Sequence, residues 1–288
     1  MIGERRWVTW LAVLLVLIWT LVPLYWFLAM AFKTPAEISA FPPRFYPQKP
    51  NPAGLFNVLG LEYVSSTGEV SIPSGQAGQV THGLLNSFIL GVTVAVITML
   101  IVIPLSYTYA RLDFRHKNKL LMAILLSVAL PPISTLIPFY ILFIALNLAG
   151  TLSGLILVTL TITVPFVTWM LIGFFRNLPP VERLAQIDGF SRMGTLIQIV
   201  VPMARVGIAV GAVVAFLFAW NEYTFALILV NGTPATTLPA SISGFLFQHP
   251  EPEQLAAAVL YSMIPPFIMA YLVQRHITKM NIVEPLGG

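Results

Sequence analysis

Residues 83–110 read GLLNSFILGVTVAVITMLIVIPLSYTYA, a stretch without Asp, Glu, Lys or Arg. As a helix it is long enough to cross the roughly 30 Å hydrocarbon core of a bilayer. Five further apolar stretches run at about 7–32, 120–146, 153–175, 206–231 and 254–274. The whole chain follows the same bias: 57% of its 288 residues are hydrophobic and only 9% are charged, against about 25% charged in soluble domains, and the mean hydropathy is +0.86. So few polar side chains cannot cover the surface of a soluble domain of this length, so lipid must take up the excess. The expected fold is an all-α integral membrane protein, a single transmembrane domain over 1–288 with six transmembrane helices.

The 15 Lys and Arg residues are unevenly placed. Lys33, Arg44 and Lys49 fall in the first long connection. The others are Arg5 and Arg6 before span one, Arg111, Arg115, Lys117 and Lys119 between spans two and three, Arg176, Arg183, Arg192 and Arg205 between spans four and five, and Arg275 and Lys279 after span six. Basic residues are retained on the cytoplasmic side, so both termini are expected to be cytoplasmic. Arg5-Arg6 admits a twin-arginine export signal as a competing reading, but the apolar run behind it is far longer than a signal-peptide core. The net charge of +4 is not gathered into a Lys/Arg stripe interleaved with aromatics, so nucleic acid is not an expected partner. Cys is absent, which excludes disulfides and thiolate metal sites, and no metal site is expected.

Two connections are expected to be external and irregular. Residues 33–82 contain Pro35, Pro42, Pro43, Pro47, Pro50, Pro52 and Pro73, and residues 232–253 contain Pro234, Pro239, Pro250 and Pro252; proline at this density excludes long helices. The cytoplasmic loop 176–205 is different. Its start reads Arg176-Asn177-Leu178-Pro179-Pro180-Val181-Glu182-Arg183-Leu184-Ala185-Gln186-Ile187-Asp188-Gly189. The pattern predicts a short helix over 180–189, with Pro180 in its first turn, Glu182 at the positive end of the dipole and Gly189 as a left-handed stop. Val181, Leu184, Ala185 and Ile187 would form its apolar side. Ser191 is placed to cap a second helix reaching Pro202. A helix this short is marginal alone, and it rests either on lipid headgroups or on a partner protein.

That loop resembles the EAA loop of permeases from binding-protein-dependent ABC importers. Asp188-Gly189 and Pro202 keep the family's spacing, Ala185 matches its second Ala and Glu182 an acid just before; Arg183 and Leu184 depart from it. Asn86-Ser87, Tyr109-Ala110-Arg111-Leu112, Pro131-Pro132, Pro165-Phe166 with Trp169, Gly173-Phe174-Phe175 before Pro179, and Trp220-Asn221-Glu222-Tyr223 extend the resemblance over about 82–276, to the carbohydrate-uptake, maltose-permease-like branch. The first loop is not recognisable and the tail Asn281–Gly288 departs from the sugar-permease ending. The resemblance implies a type I ABC importer permease in the prokaryotic inner membrane. It also implies four kinds of partner besides membrane lipid: a second homologous permease, an ATP-binding subunit dimer, an external solute-binding protein and the delivered sugar-like solute. The coupling residues it implies are Glu182, Arg183, Leu184, Ala185, Asp188, Gly189 and Pro202. ATP and Mg would be bound by the partner ATPase and no cofactor by this chain, in keeping with a sequence that lacks a Gly-x-x-x-x-Gly-Lys-[Ser/Thr] phosphate loop. The chain is thus expected to transport and not to be an enzyme. No residue separates sugars from polyols or glycerol phosphates.

Glu222 is the one acid inside the six stretches. With Asn221 and Tyr223, and with Asn86 near the external boundary, it either lines a solute path or gate or makes a structural polar contact. Pro131, Pro132, Pro138 and Pro165 are read as helix kinks, with broken backbone beside a cavity as the alternative. Two other classes compete with the permease reading. A secondary transporter would need coupling charges beyond Glu222. An intramembrane serine protease would need a buried base, and its only motif-like run is Gly150-Thr151-Leu152-Ser153-Gly154, while His82, His116, His249 and His276 all fall in loops or at span ends.

Overall fold

The computed structural model describes residues 6–65, 68–129, 131–247 and 250–277. Arg5, His249, Lys279 and the tail 281–288 lie outside the described residues. The elements in chain order are α1 (Arg6–Ala31), α2 (Pro35–Ile38), α3 (Ala53–Asn57), β1 (Tyr63–Val64), β2 (Val70–Ser71), α4 (Ala77–Arg111), α5 (Lys117–Ala129), α6 (Pro132–Ala145), α7 (Leu152–Arg176), α8 (Glu182–Ile187) and α9 (Arg192–Thr195). A π-helical turn (Leu196–Val200) follows, then α10 (Val201–Met203), α11 (Arg205–Trp220), α12 (Thr224–Leu229), α13 (Leu238–Ile242), α14 (Gly244–Phe247) and α15 (Pro252–Ile277). Among the described residues five helical segments are long and apolar enough to cross a membrane: Trp7–Ala31, Ala77–Arg111, Leu152–Arg176, Arg205–Leu229 and Pro252–Gln274.

The third expected span, 120–146, is not one helix. It is α5 followed by α6, and the pair Lys117–Ser127 and Pro132–Ala145 is bent by 89°. Pro131 stands at the cap position of α6 with φ −66° and ψ 132°. Neither Pro131 nor Pro132 has an N–H for a continuous ladder, and Pro131, ahead of Pro132, is extended, so here the prolines break the segment and do not merely kink it. Pro138 and Pro165 lie inside the unbroken α6 and α7.

The chain divides into two compact units. The first comprises the described residues of 1–82 and 241–264. Here α1 is exposed along most of its length, as befits a lipid-facing span. The proline-rich connection folds back along the end of α1: Tyr25 donates to the Phe45 carbonyl at 3.0 Å, and the Asn51 N–H donates to Phe32 at 2.8 Å. The buried Lys33 ammonium donates to the Arg44 carbonyl at 2.5 Å and stands 4.7 Å over the Trp26 ring. The connection forms only α2, α3 and a two-stranded hairpin pairing Tyr63 with Ser71 and Val64 with Val70. Helix α4 starts at Ala77, inside the expected loop 33–82. Tyr261 donates to the Leu55 carbonyl at 3.1 Å and Ser74 to Gln254 at 3.2 Å.

The second unit comprises the described residues of 83–240 and 265–288. Helix α7 packs on α11 and α5, and α12 on α6 and α7. One apolar cluster joins Leu90, Val94, Phe143, Leu155, Val158 and Phe225; another joins Val102, Tyr107, Val167, Leu171, Phe175 and Ala215. Small residues set the helix spacing: a Cβ at Gly207 would lie 2.6 Å from the Phe174 ring. The buried Thr98 and Thr163 hydroxyls bond at 3.0 Å between α4 and α7. At one end, the Asn86 side chain donates to the carbonyls of Pro234 and Thr236 at 2.8 and 2.9 Å, Ser87 accepts from the Leu238 N–H at 2.9 Å, and the Gly150 N–H donates to Leu229 at 2.7 Å. At the other end, some 25 residues and about 37 Å further along α4, Arg111 meets the segment after α7. The connections that the Lys/Arg distribution assigns to opposite faces therefore lie at opposite ends of this unit.

Candidate functional site

Helix α7 stops at Arg176 because Pro179 and Pro180 cannot continue its ladder. Helix α8 begins at Glu182, not at Pro180 as expected, with Val181 at the cap position (φ −95°, ψ −9°). Two consecutive prolines hold the backbone ahead of them away from helical geometry, so the first turn opens later. Glu182 still occupies that turn, where the helix dipole favours a carboxylate. The C-terminus closes in the manner expected: Gly189 adopts φ +83°, its N–H donates to the Gln186 carbonyl at 3.1 Å, and the Phe190 N–H reaches back to Ala185 at 2.9 Å. This double closure requires a left-handed residue after the helix, which glycine supplies without strain. No atom lies within 4 Å of a Cβ built at Gly189, so within this chain the demand for glycine is conformational.

The apolar side of α8 is not the single face expected. Ala185 is 2% exposed and Val181 packs with the second apolar cluster, whereas Leu184 is 65% and Ile187 81% exposed. At about 100° per residue, 181 and 185 share one direction and 184 and 187 another, so only the first pair reaches the chain's own core. Arg183 and Asp188 are exposed. Ser191 accepts from the Gly194 N–H at 3.1 Å and caps α9. The helix does not end at Pro202. A π-helical turn stands directly before it and α10 carries on to Met203; a π turn frees the ladder position that a proline ring and its missing N–H would otherwise disrupt.

One residue here escaped the site read from sequence. Arg111, the last residue of α4, donates to the carbonyls of Leu178 and, at 3.0 Å, Pro179, and its Nε lies 3.4 Å from the Glu182 carboxylate. Arg111 and Glu182 are both largely buried. Beside them is a cavity of about 80 Å³ lined by Tyr107, Leu112, Glu182, Gln186, Arg192 and Thr195. The available signal was the charge closing Tyr109-Ala110-Arg111: a guanidinium at the mouth of an apolar span needs acceptors.

The second candidate group sits at a break in the fifth span. Helix α11 ends at Trp220 and α12 begins at Thr224. The Asn221 side chain donates to the Leu217 carbonyl at 2.8 Å, and the Glu222 carboxylate accepts from the Phe225 N–H at 2.7 Å. Glu222 thus satisfies a donor that the break sets free, while Asn221 adds a second bond to a carbonyl that its own N–H already reaches at 3.1 Å. Tyr223 is exposed. Asn86, committed to Pro234 and Thr236, has other partners than Glu222. Among the described residues, no three His, Asp or Glu side chains are grouped to hold a metal.

Comparison with known proteins matches residues 103–280 to the family described as binding-protein-dependent transport system inner membrane component. A putative ABC transporter permease protein of Streptomyces antibioticus is 36% identical over 69% of this chain and 88% of its own length. The trehalose transport system permease protein SugB of Mycobacterium tuberculosis is 33% identical over 68% and 73%. The sulfoquinovosyl glycerol transport system permease protein SmoH of Agrobacterium fabrum is 28% identical over 90% and 86%. In fold, the chain is similar to one from the crystal structure of a bacterial ABC transporter involved in import of the acidic polysaccharide alginate, with a TM-score of 0.71, 18% identity and coverage of 95% and 97%. The family match takes in the α8 segment, the broken fifth span and most of the apolar helices around them, and the chain belongs to the family of binding-protein-dependent transport system inner membrane components.

Proposed function

We propose that the chain is the membrane-spanning permease subunit of an ATP-driven importer for a sugar or sugar-like solute. It works with a second permease, an ATPase dimer and an external binding protein, and sits in the inner membrane with six spans and both termini cytoplasmic. The observation that carries this is helix α8, which stands beyond the ends of α7 and α11 and leaves Leu184 and Ile187 bare. Two bare aliphatic side chains on a six-residue helix gain about 1.5–3 kcal/mol each when a partner covers them, and the family places an ATPase at this point. The chain transmits force and leaves ATP, Mg and hydrolysis to that partner. Relatives named for trehalose and for sulfoquinovosyl glycerol support a glycosidic solute.

A second reading concerns the break at 221–223. Asn221, Glu222 and Tyr223 line the solute path, because irregular backbone at membrane depth is tolerated where it borders protein or a wet cavity, and hydroxyl-rich solutes suit amide, carboxylate and phenol groups. Asn86 serves this path indirectly, by holding the Pro234–Thr236 backbone at the external end.

The solute is tested by titrating the partner binding protein with trehalose, maltose, glycerol phosphate and sulfoquinovosyl glycerol; binding of none of the glycosides sinks the sugar assignment. Orientation is tested in intact cells on a chain with no native Cys. Glu69→Cys is expected to react with an impermeant maleimide and Asp113→Cys to stay unlabelled; the reverse pattern inverts the topology.

A further inference from the structure

We infer that Arg111 is the positioning residue that binds α8 to α4, so that a displacement imposed on α8 is carried by α4 to the segment 234–238 at its far end. The inference rests on the reading of α8 as the docking helix. Six residues do not make a self-sustaining helix, and the linker to α7 is Pro179-Pro180, whose rings remove two N–H groups. Little in that linker can fix α8 by local hydrogen bonding. Arg111 supplies the missing attachment from another helix: one guanidinium engages the Leu178 and Pro179 carbonyls and the Glu182 carboxylate. One terminal nitrogen donates to both carbonyls while the Glu182 carboxylate stands beside Nε at 3.4 Å as an ion pair; a planar guanidinium fixes such a set of partners in direction, which an ammonium on a flexible stem cannot. The ring of Tyr107, one turn back on α4, meets Phe175 of α7 edge-on at 6.2 Å and stiffens the same corner.

The far end of α4 is fixed as firmly. Asn86 and Ser87 hold the carbonyls of Pro234 and Thr236 and the N–H of Leu238. Arg111 and Asn86 are thus two polar grips at opposite ends of one helix, each on a segment outside the spans. A rigid element gripped at both ends couples those segments physically, and coupling of this kind is demonstrated only by perturbing one end and reading the other.

The test uses the assembled transporter in lipid nanodiscs, with ATPase and partner permease bound and MgATP plus vanadate as the probe. Thr237→Cys reports the far end through its rate of maleimide labelling. Vanadate trapping is expected to change that rate by about tenfold, within the usual range of coupling along such networks. With Arg111→Met the change is expected to shrink to within about twofold while ATP is still hydrolysed. Arg111→Lys and Glu182→Gln, which each keep part of the grip, are expected to fall between. A full response with Arg111→Met, or none in the parent, overturns the inference. If Arg111→Met releases the ATPase, Thr195→Cys in the membrane-embedded chain decides. It lies on the cavity behind α8, and its labelling should accelerate about tenfold once the grip is lost; an unchanged rate overturns the inference. Failure of the docking reading looks different: Leu184→Asp with Ile187→Asp would leave the ATPase bound whatever stands at 111.

Discussion

Helices α8 and α12 are each six residues long and each follows a break; Glu182 opens α8, and Glu222 stands two residues ahead of α12. Glu222 turns its carboxylate onto the Phe225 N–H in the first turn of α12. Glu182 turns its carboxylate onto Arg111, which belongs to a helix more than sixty residues away in sequence. The first device is local and settles where a helix begins; the second is tertiary and settles where a helix sits. Helix α12 needs no tether, since Phe225, Ala226 and Leu229 are buried against α6 and α7. Helix α8 buries only Ala185. A helix with a core can rely on packing, and one that must present a face to a partner is held by polar groups at its base.

The largest expected effect breaks the comparison at the exposed faces. Leu184→Asp combined with Ile187→Asp should lower co-purification of the ATPase by more than about tenfold, because two charges would enter a surface that needs apolar cover. Tyr223→Ser, at an exposed residue beside α12, should leave it unchanged. Equal losses in both would mean that the two helices do not differ in role.

Gly189 gives the next effect. Forcing a β-branched side chain to φ +83° costs about 1–2 kcal/mol, and Asn tolerates that region far better. Gly189→Val should therefore lower ATPase retention and the thermal midpoint of the complex, with Gly189→Asn close to the parent. If Val and Asn behave alike, the left-handed closure is not what makes glycine necessary.

The smallest effect sharpens the contrast between the carboxylates. Glu222→Gln keeps an oxygen to accept from Phe225 and should cost under about 1 kcal/mol, while Glu222→Ala loses the cap and costs about 1–2 kcal/mol. Thermal unfolding of the purified chain measures both. A glutamine variant as unstable as the alanine one would show that the negative charge itself, and not the hydrogen bond, serves this break. Altered uptake at preserved stability would assign Glu222 to the solute path.

The spans were legible because a run such as 83–110 leaves one physical solution, a helix in lipid. The closure at Gly189 and the cap at Ser191 were legible because both depend on a few neighbouring residues. The late start of α8 and the 89° bend between α5 and α6 were not, since paired prolines announce an interruption without stating its angle. Nor was the division of the α8 apolar residues: Ala185 and Leu184 look alike in sequence, and only the surrounding core decides which is covered. Arg111 stayed hidden for the opposite reason. Charges at span ends are ordinary, and its two carbonyl acceptors and the Glu182 carboxylate come together only when α4 and α7 are packed.

The π turn at Leu196–Val200 has a consequence for phase. Leu196, Val200 and Ala204 are all buried in one cluster at four-residue intervals. An α-helix turning every 3.6 residues would carry such a series round by about 40° at each step, taking the third member well off the face of the first. The wider turn absorbs that drift and keeps the row straight. It acts as a vernier between the capped end at Ser191 and the buried row, and removing a single residue from it would swing Arg192 and the helix cap by about 100° around the helix axis relative to Val201 and Pro202.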